Sequence, residues 1–165
     1  MLGRRLTFRT PYPRAGLLRP VTDEERDIYA RDGAARLKAI LPLEWVDYLR
    51  KAVTRLMKLS HPASQNYAAE GEPRFFGHSF PWLLDDAFNA WAIHGPPKDI
   101  ARQIMTNAKS INFFYDQIFA KEPHATKAAL WHQDYPYPPV RTGGDLIELL
   151  RSALLVRQGF SPHVR

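Results

Sequence analysis

The chain has no cysteine. That excludes a disulfide framework and thiolate metal sites, so any transition metal must be held by nitrogen and oxygen donors. The six histidines and 17 acidic residues supply those side-chain ligands. Glycine is scarce, nine residues against 14 prolines. This balance predicts many fixed turns and few long uninterrupted helices. No apolar run approaches the ~18 residues that span a bilayer, and none has the length of a signal-peptide core. The expectation is a soluble, cytoplasmic protein with no membrane partner. Acid is missing from one region. Residues 1–22 contain Arg4, Arg5, Arg9, Arg14 and Arg19 but no Asp or Glu, and they supply +5 of the net charge of +6. A nucleic-acid surface needs its charge spread over a folded face, so this distribution speaks against a nucleic-acid partner. An acid-free, Arg-rich leader also fits an organelle transit peptide, but Pro11, Pro13 and Pro20 interrupt any amphipathic helix there. Residues 1–21 read as a flexible basic arm.

What remains is enough for one domain with a core. Thr22-Asp23-Glu24-Glu25 is a capping-box pattern, so a short helix should run to about Arg31. Gly33 can supply the left-handed residue that ends it. Residues 34–41 fit strand or helix. Between Leu43 and Leu59, apolar residues at 45, 46, 49, 52, 53, 56 and 57 have helical spacing, with Arg50, Lys51, Arg55 and Lys58 mostly on the other side. Residues 60–77 read as loop. A helix is expected over Trp82 to Trp91, and another from about Lys98 to Ala108 with Pro97 in its first turn. The aromatic, β-branched run Ile111 to Phe119 reads as a buried strand. Lys121 to Thr126 reads as a turn, and Ala128 to Trp131 as a second strand. The predicted order is helices first and strands late, an α+β chain.

His132 and Asp134 are the candidate metal ligands. On an extended strand, residues two apart point to the same face, so His-x-Asp aims an imidazole and a carboxylate at one point. Those are two corners of the two-His, one-carboxylate triad of non-haem Fe(II) oxygenases, which leaves positions open for co-substrate and oxygen. Structural zinc prefers a closed four-ligand shell. The tripeptide alone is a weak signal. Read by itself, it fits better a hydrogen-bonded, partly buried His132 followed by a turn at Asp134. Gln117 and Lys121, on the neighbouring strand, are candidates to face a co-substrate; the alternative is a strand amide and a turn lysine in solvent. Trp131 points away from the ligands and reads as core. Tyr135 and Tyr137 suit either the mouth of a site or packing beside prolines. Arg74 and His78 carry no motif.

The neighbourhood of the tripeptide adds a resemblance. Asp116-Gln117, Lys121-Glu122-Pro123, Trp131-His132-Gln133-Asp134 and the stretch Tyr135-Pro136-Tyr137-Pro138-Pro139-Val140 together resemble the phytanoyl-CoA dioxygenase family. Asp32-Gly33 and the segment after it resemble that family's N-terminal entry. The resemblance covers roughly residues 23–140. It implies a double-stranded β-helix, a cupin-like jelly roll with helices outside. It implies Fe(II) on His132 and Asp134 and a second histidine far downstream. It also implies 2-oxoglutarate as co-substrate, with a downstream basic residue on its distal carboxylate. The reaction would hydroxylate an unactivated C–H bond of a small-molecule or acyl-CoA-like substrate.

The end of the chain departs from that pattern. After Val140 the one histidine is His163, with Arg165 the one basic residue beyond it, and too few residues separate His132 from His163 for several barrel strands. Residues 143–157 read as a Leu-rich helix where strands are expected. The expectation is an incomplete barrel over residues 22–140, truncated by a frameshift or early stop near residues 140–143. Such a chain would be poorly soluble and inactive. The alternative is a non-catalytic binding module that retains part of the fold.

Overall fold

A computed structural model describes residues 11–125 and residue 128. The elements are α1 (Asp23–Asp32), α2 (Leu43–Leu56), β1 (Ser64–Asn66), β2 (Phe75–Ser79), a 3-10 turn (Pro81–Leu83), α3 (Asp86–His94), α4 (Pro97–Ile104) and β3 (Gln117–Lys121). The chain is α+β, as its pattern indicates.

Helix α1 is made by its ends. Thr22 accepts from the Glu25 amide while Glu25 accepts from the Thr22 amide, and Gly33 closes the helix at φ 74°. No residue of α1 is buried. Its anchor is Glu25, whose carboxylate takes two hydrogen bonds from Arg19 at 2.7 and 2.8 Å. The Arg19 bonds, followed by that from the Thr22 amide, hold the Glu25 carboxyl down at about 2. Residues 11–21 have no regular helix or strand but are tied to the body. The indole of Trp45 donates to the Ala15 carbonyl at 2.9 Å, and Tyr12 stacks on His94 at 5.0 Å. Val21 joins Ile40 and Ile100 in a small second core.

Helix α2 buries Trp45, Val46, Leu49, Ala52, Val53 and Leu56, the face its spacing predicts. Leu49, Ala52, Val53 and Leu56 pack against Phe76 of β2, Ala87 and Phe88 of α3, and Ala120 of β3. Leu56 is fully buried, so Leu56→Ala would remove about 2–5 kcal/mol of stability. Arg55 and Asp85 join α2 to the start of α3. The Arg55 guanidinium donates to both Asp85 carboxylate oxygens at 2.9–3.0 Å, and Asp85 also caps α3 by accepting from Ala87 N at 2.8 Å.

Three antiparallel strands form one sheet in the order β1-β2-β3. Ser64 pairs with His78 and Asn66 with Phe76; Phe75 pairs with Lys121, Gly77 with Phe119, and Ser79 with Gln117. Phe76, His78, Ile118 and Ala120 alternate onto the face that meets the helices. Phe75, Gly77, Ser79, Gln117, Phe119 and Lys121 share the opposite face.

The structure corrects several expectations. Residues 60–77 are not all loop: β1 and most of β2 lie there, so strands also occur between α2 and α3. The run Ile111 to Phe119 is not one buried strand. Only Gln117–Lys121 pairs, and Phe113, Phe114 and Tyr115 are each 37–44% exposed. The cause lies in β2, the one neighbour of β3 among the described residues. Its pairing edge ends at Ser79, because Phe80 turns off in the left-handed conformation (φ 61°, ψ 42°) into Pro81. Beyond that point one bond continues the ladder, from Phe80 N to the Asp116 carbonyl at 2.9 Å. The 43–59 and 98–108 helices end early, at Leu56 and Ile104. The 82–91 expectation splits into the 3-10 turn and α3. Residues 34–41 form neither helix nor strand.

Candidate functional site

Of the sequence-predicted site residues, Gln117 and Lys121 are described. His132 and Asp134, with Trp131, Tyr135 and Tyr137, lie outside the described residues. Among the described residues, no group of three or more His, Asp or Glu could hold a metal ion.

Gln117 and Lys121 stand at the two ends of β3 on its helix-free face. The Gln117 amide nitrogen donates to the Ser79 hydroxyl at 3.3 Å. The Lys121 ammonium lies 4.6 Å above the centre of the Phe75 ring, a cation–π contact. Phe119 stands between them and is 51% exposed. Tyr67 follows β1 and leans over Gly77 toward Phe75 and Phe119. This face therefore has a polar end at Ser79 and Gln117, and an aromatic, cationic end at Lys121.

The opposite face holds groups that sequence reasoning left aside. His78 is fully buried; its Nδ1 pairs with the Ser64 hydroxyl at 2.8 Å and its Nε2 has no partner among the described residues. Burial, then the neighbouring His61, lowers its pKa. The Asp116 Oδ1 accepts from the Trp82 amide at 3.3 Å, while its Oδ2 is buried without a partner among the described residues. Burial pushes the Asp116 carboxyl up to about 6. Asp116 was legible as part of the Asp-Gln pair. Nothing local to His78 announced its burial, which comes from the β1–β2 pairing.

Taken together, these elements define an α+β chain in which helices cover one face of an antiparallel sheet and leave polar, cationic and aromatic groups on the other. The family model for phytanoyl-CoA dioxygenase (PhyH) matches residues 29–154, about three quarters of the chain. The chain belongs to that family. Members are generally Fe(II)- and 2-oxoglutarate-dependent oxygenases. The matched span takes in Gln117, Lys121 and the Trp131-His132-Gln133-Asp134 motif, and it extends past Val140. No curated protein and no solved structure matches the chain. Among the described residues, no helix is long and apolar enough to cross a membrane.

Proposed function

We propose that this chain carries the metal-binding part of a non-haem Fe(II)/2-oxoglutarate dioxygenase that hydroxylates an unactivated C–H bond of a small-molecule or acyl-CoA-like substrate. The observation that carries the reading is the family match across residues 29–154, which contains the His-x-Asp motif.

His132 and Asp134 would hold the iron, with an imidazole nitrogen and a carboxylate oxygen brought to one side of a strand. The donor chemistry fits: the chain has no thiol, and nitrogen and oxygen ligands suit an open Fe(II) centre. Ferrous iron with bound 2-oxoglutarate supplies the oxidative decarboxylation that places one oxygen atom of O2 in the C–H bond. The chain's own residues bind and orient. Gln117 and Lys121, on the sheet face that the described helices do not cover, would meet the co-substrate or the substrate. The helix layer on the other face would then be the outside of a jelly roll, and the Gln117–Lys121 face its inside.

The test is iron-dependent binding of 2-oxoglutarate. The chain should bind 2-oxoglutarate when Fe(II) is present, and His132→Ala and Asp134→Ala should each abolish that binding. Absence of any Fe(II)-dependent binding in the wild-type chain would instead favour a binding module that retains the fold without the metal chemistry.

A further inference from the structure

Tyr67 reaches sideways across the middle strand of the sheet. Its ring centre lies 5.1 Å from that of Phe75 and 6.0 Å from that of Phe119, and those two lie 6.0 Å apart. Gly77 makes this arrangement possible. A Cβ at that position would stand 2.5 Å from Tyr67 Cε2 and 3.1 Å from the Tyr67 hydroxyl. The missing side chain is thus the space the Tyr67 ring occupies. The Lys121 ammonium completes the cluster, 4.6 Å over Phe75.

The polar end of the same face is chemically different. Gln117 and Ser79 bond to each other there. Strand geometry separates the α-carbons of Gln117 and Lys121 by about 13 Å over four residues. The two ends also differ in chemistry, an amide and a hydroxyl at one and an ammonium among aromatic rings at the other, and on that difference the two candidates are assigned to different molecules. Three rings gather around Lys121, and apolar surface beside a cation recognises an apolar body that ends in an anion.

We infer that Tyr67, Phe75, Phe119 and Lys121 form the substrate end of the site, built to take an apolar carboxylate, with the Gln117 end left to the co-substrate. This rests on the oxygenase reading for the identity of the co-substrate. Within it, Tyr67 determines specificity by setting how much apolar body fits against Phe119. Lys121 reads the anionic terminus with a charge-assisted hydrogen bond. Phe75 positions the lysine.

The experiment uses the full chain and three probes in calorimetric titration: 3-phenylpropionate, its neutral amide, and 2-oxoglutarate with Fe(II). The wild type should bind the acid about tenfold more tightly than the amide, the size expected for one hydrogen bond to a charged group. Gly77→Ala meets only the movable Tyr67 ring, so the strand should form and the ring should be displaced. Its affinity for the acid should fall at least about fivefold, roughly the contribution of one aromatic contact, with 2-oxoglutarate affinity unchanged. Tyr67→Leu should show the same loss without touching the strand, and Lys121→Met should erase the preference for acid over amide. Equal wild-type affinity for acid and amide would overturn the inference, as would folded Gly77→Ala and Tyr67→Leu variants with unchanged affinity. Mutual displacement of 3-phenylpropionate and 2-oxoglutarate would assign Lys121 to the co-substrate and overturn the division of ends. If 2-oxoglutarate binds no form while the variants still lose the acid, the oxygenase reading fails and the aromatic anion site stands.

Discussion

The backbone amide of Trp82 donates to one carboxylate oxygen of Asp116, and the second oxygen of Asp116 is buried with no partner among the described residues. The bond fastens the 3-10 turn to the residue before β3, but the ionised form lacks solvation on one side. Burial therefore raises the carboxyl from its ordinary 3.8 to about 6. A raised folded-state pKa means that the folded chain keeps a proton the unfolded chain has released between those two values. The resulting stability is fully present below the lower value and is lost as pH rises through about 6. Asn keeps the acceptor for the Trp82 amide and carries no charge. Asp116→Asn should thus raise the melting temperature at pH 8, with the difference shrinking toward pH 4. A difference that is constant across pH would refute the role of charge burial.

His78 has the opposite sign. Its pKa is held below the ordinary 6.5 by burial, then by His61. Its contribution is present above 6.5 and is lost as pH falls through the lower folded value. In Asp116→Asn the acid limb of the stability curve should therefore remain. Thermal unfolding of that variant from pH 8 down to pH 4 shows whether it does.

Asp85 serves two partners at once, the Ala87 amide and the Arg55 guanidinium. Asp85→Ala should destabilise the protein by about 1–2 kcal/mol, mostly through the lost cap. Arg55→Ala should take away less than about 1 kcal/mol, because the arginine is half exposed. The double variant should lose less than the two singles added, since they share one interaction. Denaturant titration of the three variants measures this directly.

Helix α1 offers a test of local stability. It buries no residue and depends on Thr22, Glu25, Gly33 and Arg19. Thr22→Ala should remove about 1 kcal/mol from the helix, which speeds amide exchange over residues 23–32 by about fivefold. The melting temperature of the core should hardly move. An equal slowdown or speeding across all elements would show that α1 opens only with the whole chain.

The parts of this fold that were legible in the sequence are those decided by near neighbours. The capping box at Thr22 and Glu25 and the left-handed Gly33 depend on residues a few positions apart. The α2 face follows from one helical period. The β1–β2 pairing was not legible, because Gln65 and Asn66 are polar and exposed and Pro62, Gly71 and Pro73 interrupt the segment. The length of β3 was not legible either. Residues 111–116 read as strand in sequence, but Phe80 turns the described partner strand away. The candidate site divides in the same manner. The pairing of His132 with Asp134 was read from their spacing together with the surrounding motif and lies outside the described residues, while the placing of Lys121 on the same strand face as Gln117 came only with the β2–β3 register. The contact of Tyr67 with Phe119 across Gly77 depends on register among three strands distant in the chain, and no local pattern encodes it.

The central claim is that His132 and Asp134 hold ferrous iron, and an anaerobic Fe(II) titration of the wild-type chain beside His132→Ala tests it most directly. The account predicts saturable binding at one iron per chain that falls by at least about tenfold in the variant, the scale on which even partners outside the metal's ligand set act. Binding that is equally weak in both proteins, or equally tight in both, would contradict it.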